Sequence, residues 1–127
     1  MRAVVTRVSS ASVTIDGAVH GQIGRGFLIL LGVGPNDTEH DATKLAEKIL
    51  GLRVFCDEAG KMNQDLAAHS FVGAADPSLA IPLYEFFLSE CSRLGYPPRH
   101  GEFGADMQVA SVNDGPVTLW IDSADLA

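Results

Sequence analysis

Two stretches of the chain are suited to chemistry performed by the backbone: "VTRVSS" at 5–10, which holds Arg7, and "NDGPVT" at 113–118, which holds Gly115 and Pro116. X-Pro is the common site of a cis peptide, and a cis bond re-aims two carbonyls. Arg7 is a long cation in an otherwise apolar run. It has two readings: an edge-facing Arg whose stem covers apolar surface, or a guanidinium that donates its fork of N–H groups to backbone carbonyls. Phe103 and Met107 flank "GAD", and either pack in the core or wall a stacked base. The familiar side-chain signatures do not fit. Ser9, Ser10 and Ser12 lie in no G-x-S-x-G elbow. "GVGPND" places Asp37 where a dinucleotide loop needs its third Gly, and reads better as a strand-to-helix turn. His20, His40, His69 and His100 have no zinc spacing to each other or to Cys56 and Cys91, so neither a metal nor a cofactor is expected.

Strands and helices must position these residues. "RAVVTRV" alternates, and the small run "SSASV" continues it. "TIDGAV" sets Asp-Gly between apolar residues, a strong hairpin signal. "GQIGRG" is a second turn, and "FLILLGV" follows as a strand apolar on both faces. The opening is thus expected to be a three-stranded antiparallel meander. A helix is predicted within "GPNDTEHDATKLAEKILG", capped by Asp37 or Asn36. Ala42, Leu45, Ala46, Ile49 and Leu50 fall on one face, and Gly51 sits at C′. "LRVF" reads as a strand and "CDEAGKMN" as a turn. "DPSLAIPLYEFFLSECSRLG" is a second helix with Asp76 and Pro77 at cap and N1. Pro82 either starts it or bends it. "EFGADMQVASV" is one further strand. Then "NDGP" turns into a last strand, with Val117, Leu119 and Ile121 facing one way and Thr118, Trp120 and Asp122 the other. The fold class is α+β, about six strands and two helices in a single domain over residues 1–127.

The bulk properties narrow the function. The 127 residues are 46% hydrophobic and 20% charged, which describes an ordinary globule. No apolar run approaches the ~18 residues of a membrane span, and the N-terminus is too polar for a secretory segment, so a cytoplasmic location is expected. Nine Lys+Arg against sixteen Asp+Glu give a net charge of −7. That argues against a broad nucleic-acid face, and hence against DNA, but allows a grip on one nucleic-acid end.

The segments "MRAVVTRVSSASVTIDG", "GLRVFCDEAGKMN", "GEFGADMQV" and "VNDGPVTLWID" together resemble the D-aminoacyl-tRNA deacylase (D-tyrosyl-tRNA deacylase) family, in order and over nearly the whole chain. "FGADMQV" and "NDGPVT" carry most of the likeness. It implies an antiparallel, barrel-like sheet with two helices and a homodimer. The implied activity is hydrolysis of the ester joining a D-amino acid, or glycine mischarged on tRNA-Ala, to the 3′ end of tRNA. It further implies that Gly115-Pro116 is cis and reaches into the partner subunit's site. There its carbonyls take the substrate α-amino group and leave no room for an L side chain. Arg7 props that turn, Phe103 and Met107 lie near the terminal adenosine, and Asn113 belongs to the same substrate-binding set. The chain departs from the family between "KMN" and "SFVGAADP". There the family carries a strand with a Ser-Gln-x-x-Thr motif that supplies oxyanion donors, and this sequence has no Ser-Gln at all. No catalytic residue is therefore assigned. The alternative is a family member that only binds or dimerises.

Overall fold

The computed structural model describes residues 1–53, 55–56, 62–64, 70–71 and 77–127, with side chains described for 1–53 and 78–127. Asp16 and Gly17, at φ of 51° and 78°, turn the chain tightly between β1 (Arg2–Ile15) and β2 (Ala18–Ile23). Two consecutive positive φ values are what a two-residue hairpin turn requires, and Asp-Gly supplies them. The next strand, β3 (Gly26–Gly32), does not pair with β2, as the expected meander would require. It continues along the edge of β1 that β2 occupies: Ile23 faces Ala11 and Gly26 faces Val8. The opening is therefore one long hairpin whose return arm is interrupted at Gly24 and Arg25. β1 lies in the middle, because its other edge pairs with β7 (Met107–Asp122) from Arg2↔Asp122 to Ile15↔Met107.

Helix α1 (Glu39–Leu50) buries Ala42, Leu45, Ala46, Ile49 and Leu50, the face its spacing predicts. Its cap is Thr38 and not Asp37 or Asn36. The Thr38 backbone N–H and hydroxyl donate to Asp41 Oδ2 at 2.9 and 3.1 Å. Asp37 is engaged elsewhere: it accepts the Met1 α-ammonium and the Gly34 N–H, each at 2.6 Å. Gly51 is the C-cap but keeps a right-handed φ of −89°. Its value is space, since a Cβ there would come within 3.2 Å of the Glu47 carbonyl.

Strands β4 (Phe55–Cys56) and β5 (Met62–Gln64) form a small antiparallel pair, and β6 (Ser70–Phe71) joins β3 in parallel at Phe27 and Leu28. The turn expected over "CDEAGKMN" is narrower than that, since Cys56 lies in β4 and Met62 and Asn63 in β5; its residues 57–61 and the cap at Asp76 lie outside the described residues. Helix α2 (Pro77–Arg93) starts at Pro77 as expected and carries Pro82 inside it, so Pro82 does not start the helix. A Pro there forgoes one intrahelical bond, a loss of about 3 kcal/mol in a free helix. Packing offsets it: Ala80, Leu83, Tyr84, Phe87 and Cys91 are all buried.

One face of the sheet, through Ala3, Val5, Ile29, Leu31 and Ile121, packs on both helices. A second cluster gathers Val8, Ala11, Val13, Ile23 and Leu28, with Met107 against it. Between the helices Glu90 accepts from the Thr43 hydroxyl and from Arg93 Nε, both at 2.6 Å. Burial pushes the Cys91 thiol up to about 12, which keeps it protonated and unreactive. No helix among the described residues is long and apolar enough to cross a membrane.

Among the described residues three carboxyls are held below their ordinary range in the folded state. Arg93 and then Thr43 do this to Glu90; the Thr38 backbone N–H and then Ser123 do it to Asp41; the Ala124 N–H and then Arg2 do it to Asp122. The unfolded chain therefore binds more protons in acid than the folded one. Their stabilisation is complete above the usual carboxylate range and is lost as the pH falls through and below about 4. Thermal melts should show a flat Tm from pH 7 to 5 and a falling Tm from about pH 4.5 to 3. Glu90→Gln should lower the plateau and flatten part of that fall. A Tm that is constant down to pH 3 would contradict this reading.

Candidate functional site

The break in the β1–β7 ladder locates the site. Thr6 faces Thr118 and Val8 faces Asn113. One residue on β1, Arg7, is thus opposed by four on β7, residues 114–117. Those four form an excursion from an otherwise continuous strand. "EFGADMQVASV" and the segment after "NDGP" are not two strands joined by a turn, as expected: residues 102–106 precede the strand, and "MQVASV" and the later segment are two halves of β7 on the same edge of β1.

Arg7 holds the excursion from beneath. It is only 8% exposed, which excludes the edge-facing reading and favours the carbonyl-donating one. Its Nε donates to the Asp114 carbonyl at 2.9 Å, and Asp114 Oδ2 lies 3.8 Å from the same nitrogen. A charge-assisted bond of this kind is stronger than a neutral one. Gly115-Pro116 is cis, and Gly115 has a φ of 126°. Its Cα lies against the guanidinium: a Cβ there would sit 2.5 Å from Arg7 Nη2 and 3.1 Å from Val117 Cγ2. Residues 114–116 are exposed. A rigid, outward backbone turn with no side chain at its apex can present carbonyls to a cation and exclude bulk by shape.

Asn113 stands at the base of the excursion. Its Oδ1 accepts from the Val117 N–H at 3.1 Å and its Nδ2 donates to Thr118 Oγ1 at 3.2 Å. Its amide is used within the turn.

Phe103 and Met107 lie apart from these residues. Met107 pairs with Ile15 and packs on the second core cluster, six residues from Asn113 along β7, or roughly 20 Å. Gly101 passes over it so closely that a Cβ would collide with the Met107 sulfur. Phe103 packs against Tyr84 with ring centroids 5.5 Å apart, and Tyr84 meets His100 edge-on at 6.3 Å. His20, Tyr84, His100, Glu102 and Phe103 line an open cleft of about 720 Å³. Thus Arg7, Asn113, Gly115 and Pro116 come together, while Phe103 lines the aromatic cleft and Met107 packs on the second cluster beneath Gly101. Sequence reasoning missed Tyr84 and His100, whose helical and loop positions carry no motif. It also missed Thr118, which reads as an ordinary outward strand residue. Among the described residues no group of three or more His, Cys, Asp or Glu is placed to hold a metal.

A buried Arg bonded to a turn carbonyl, beneath a cis Gly-Pro whose glycine has no side chain, is the candidate site. The comparisons place it in a family. The model described as D-Tyr-tRNA(Tyr) deacylase matches residues 4–70 and 67–122. A D-aminoacyl-tRNA deacylase of Roseiflexus castenholzii is 50% identical, over 98% of this chain and 93% of its own length. One of Lacticaseibacillus casei is 48% identical, over 97% and 98%. Among solved structures, "c-Myc DNA Unwinding Element Binding Protein" superposes with a TM-score of 0.87 and 34% identity, over 96% of this chain and 98% of that one. The chain belongs to the D-Tyr-tRNA(Tyr) deacylase family.

The alignment also bears on the departure at "KMN". The Roseiflexus match runs over 146 positions, while 98% of 127 residues is about 124. About 22 positions of the match are therefore filled in the relative and empty here. The two pieces of the family match meet at residues 67–70, which locates the gap between "KMN" and "SFVGAADP", where the Ser-Gln-x-x-Thr strand was expected.

Gly115→Ala should lower stability by about 1–3 kcal/mol, the usual cost of a side chain at such a φ. A thermal melt of the variant against wild type reads it. A Tm within 1 °C of wild type would show that the excursion is free to yield.

Proposed function

We propose that this chain hydrolyses the ester between a D-amino acid and the 3′ end of tRNA, so that D-residues are removed before translation uses them. The observation that carries the reading is the Arg7–Asp114 carbonyl bond beneath an apex with no side chain. The backbone carbonyls of the excursion are acceptors only, suited to the substrate α-ammonium. With the ammonium fixed there, a D side chain points away and an L side chain points into the turn. Exclusion by rigid backbone needs no discriminating side chain. Glycine has no side chain to exclude, so a glycyl ester on tRNA-Ala also passes. Water adds to the ester carbonyl, the oxyanion collapses, and the ribose hydroxyl leaves, with the vicinal hydroxyl available to assist. No side chain of this chain is given the role of base.

The working unit is a homodimer. In one copy the excursion lies roughly 20 Å from Met107, and a second copy can bring its excursion to the first copy's Phe103 and Met107. The outer face of the sheet supports the pairing. Leu30, Val4 and Trp120 stand side by side across three strands, and Trp120 is 65% exposed. The acidic chain holds only the tRNA end, in the cytoplasm where aminoacyl-tRNA is used. The slope of log K against log salt should accordingly be near −1 to −3, for about that many phosphate contacts on a single strand.

A second reading has one observation in its favour. The roughly 22 positions absent here relative to the Roseiflexus deacylase include the segment where the family keeps its oxyanion donors. Losing one such donor costs 10²–10³ in rate, so the chain would then bind and dimerise without turning over.

Hydrolysis of matched D- and L-aminoacyl-tRNA decides between them. The first reading expects D-specific release, abolished selectivity in Gly115→Ala, and twice the chain mass by light scattering. A folded dimer that binds D-aminoacyl-tRNA without release supports the second. A monomer at high concentration with wild-type selectivity overturns the cross-subunit site.

A further inference from the structure

We propose that Asn113 and Thr118 are positioning residues that latch the base of the 114–117 excursion and so set its selectivity, and that Asn113 does not itself bind substrate. The inference rests on the chiral-screening reading of the excursion. Arg7 fixes its first half, through the Asp114 carbonyl at 2.9 Å. Beyond Gly115 the return half is the exposed Pro116 and the half-buried Val117. What returns it to the ladder is the Asn113 side chain. Its Oδ1 takes the Val117 N–H at 3.1 Å, and its Nδ2 reaches Thr118 Oγ1 at 3.2 Å, in the first pair of the resumed register. One amide thus spans the excursion from its first flank to its second. An Asn exchanging two bonds with residues four and five positions on has one N–H and one oxygen lone pair committed to the turn, which fixes the orientation of its amide. Both bonds are exposed, so each adds little to global stability. Their effect falls on the direction of the apex carbonyls, where a small misplacement is costly to selectivity.

The chemistry predicts which replacements succeed. Asn113→Leu keeps the size and loses both bonds. Asn113→Asp keeps both, because a carboxylate accepts from the Val117 N–H with one oxygen and from the Thr118 hydroxyl with the other. Thr118→Val removes only the hydroxyl. The ratio of D- to L-aminoacyl-tRNA hydrolysis should fall about tenfold in Asn113→Leu, which is what one net hydrogen bond is worth. It should return to within threefold of wild type in Asn113→Asp. Thr118→Val should lower it, and add nothing in the double variant with Asn113→Leu, since both break one latch. Amide exchange of Val117 gives a readout free of turnover: fast in Asn113→Leu, slow in wild type and Asn113→Asp.

An unchanged ratio in Asn113→Leu and Thr118→Val, alongside lost selectivity in Gly115→Ala, would overturn the latch and leave the screening reading intact. A loss in Asn113→Asp as large as in Asn113→Leu, with Thr118→Val silent, would make Asn113 a substrate ligand and overturn the proposal. Should Gly115→Ala keep full selectivity, or no hydrolysis be measurable, the Val117 amide decides: slow exchange in Asn113→Leu removes the latch, and fast exchange upholds it.

Discussion

The bond from Arg7 Nε to the Asp114 carbonyl ties the middle of the central strand to a turn that would otherwise float in solvent. Its strength comes from where Arg7 sits. β1 is paired on both edges, Val8 next to it is fully buried, and the guanidinium is nearly so. A buried cation must be satisfied or it costs several kcal/mol, and the Asp114 carbonyl is one of the groups that satisfy it. Gly115 follows from the same constraint, because a Cβ there would meet the guanidinium. Polar satisfaction in the sheet and shape at the surface are thus one requirement.

The rest of the fold serves that strand. The long β1–β2–β3 hairpin gives β1 one edge and β7 the other, while α1 and α2 cover a single face. The opposite face keeps Val4, Leu30 and Trp120 in a row toward solvent. Exposed apolar surface of this sort is the ground for the pairing proposed above. The excursion, the apolar row and the aromatic cleft then divide the labour proposed for two copies of the chain.

Local features were legible in the sequence, and long-range ones were not. Asp16-Gly17 announces its turn because only certain residues accept those φ values, and α1 announces its buried face by spacing. The cap of α1 was misplaced because Asp37 is drawn away by the Met1 ammonium, a partner 36 residues distant that no local pattern reveals. The meander was misread for a similar reason: which edge of β1 a strand chooses is decided by non-local pairing. "NDGP" reads as a turn between two strands, whereas four residues leave one strand, which rejoins the same neighbour in a shifted register. Arg7 was visible as an oddity, a cation in an apolar run, but its carbonyl partner lies 107 positions away. Phe103 and Met107 were legible as a pair of apolar residues. Their distance from the Gly-Pro turn within one chain was not, since it depends on the strand length between them.

The most direct test is a crystal structure of the chain with a non-hydrolysable D-aminoacyl adenosine, amide-linked at the 3′ position. The account predicts two copies in close contact, the ligand α-ammonium on backbone carbonyls of one copy's 114–117 excursion, and the adenine beside Phe103 and Met107 of the other. An ammonium bound by side chains elsewhere, with the excursion still facing solvent, would contradict it.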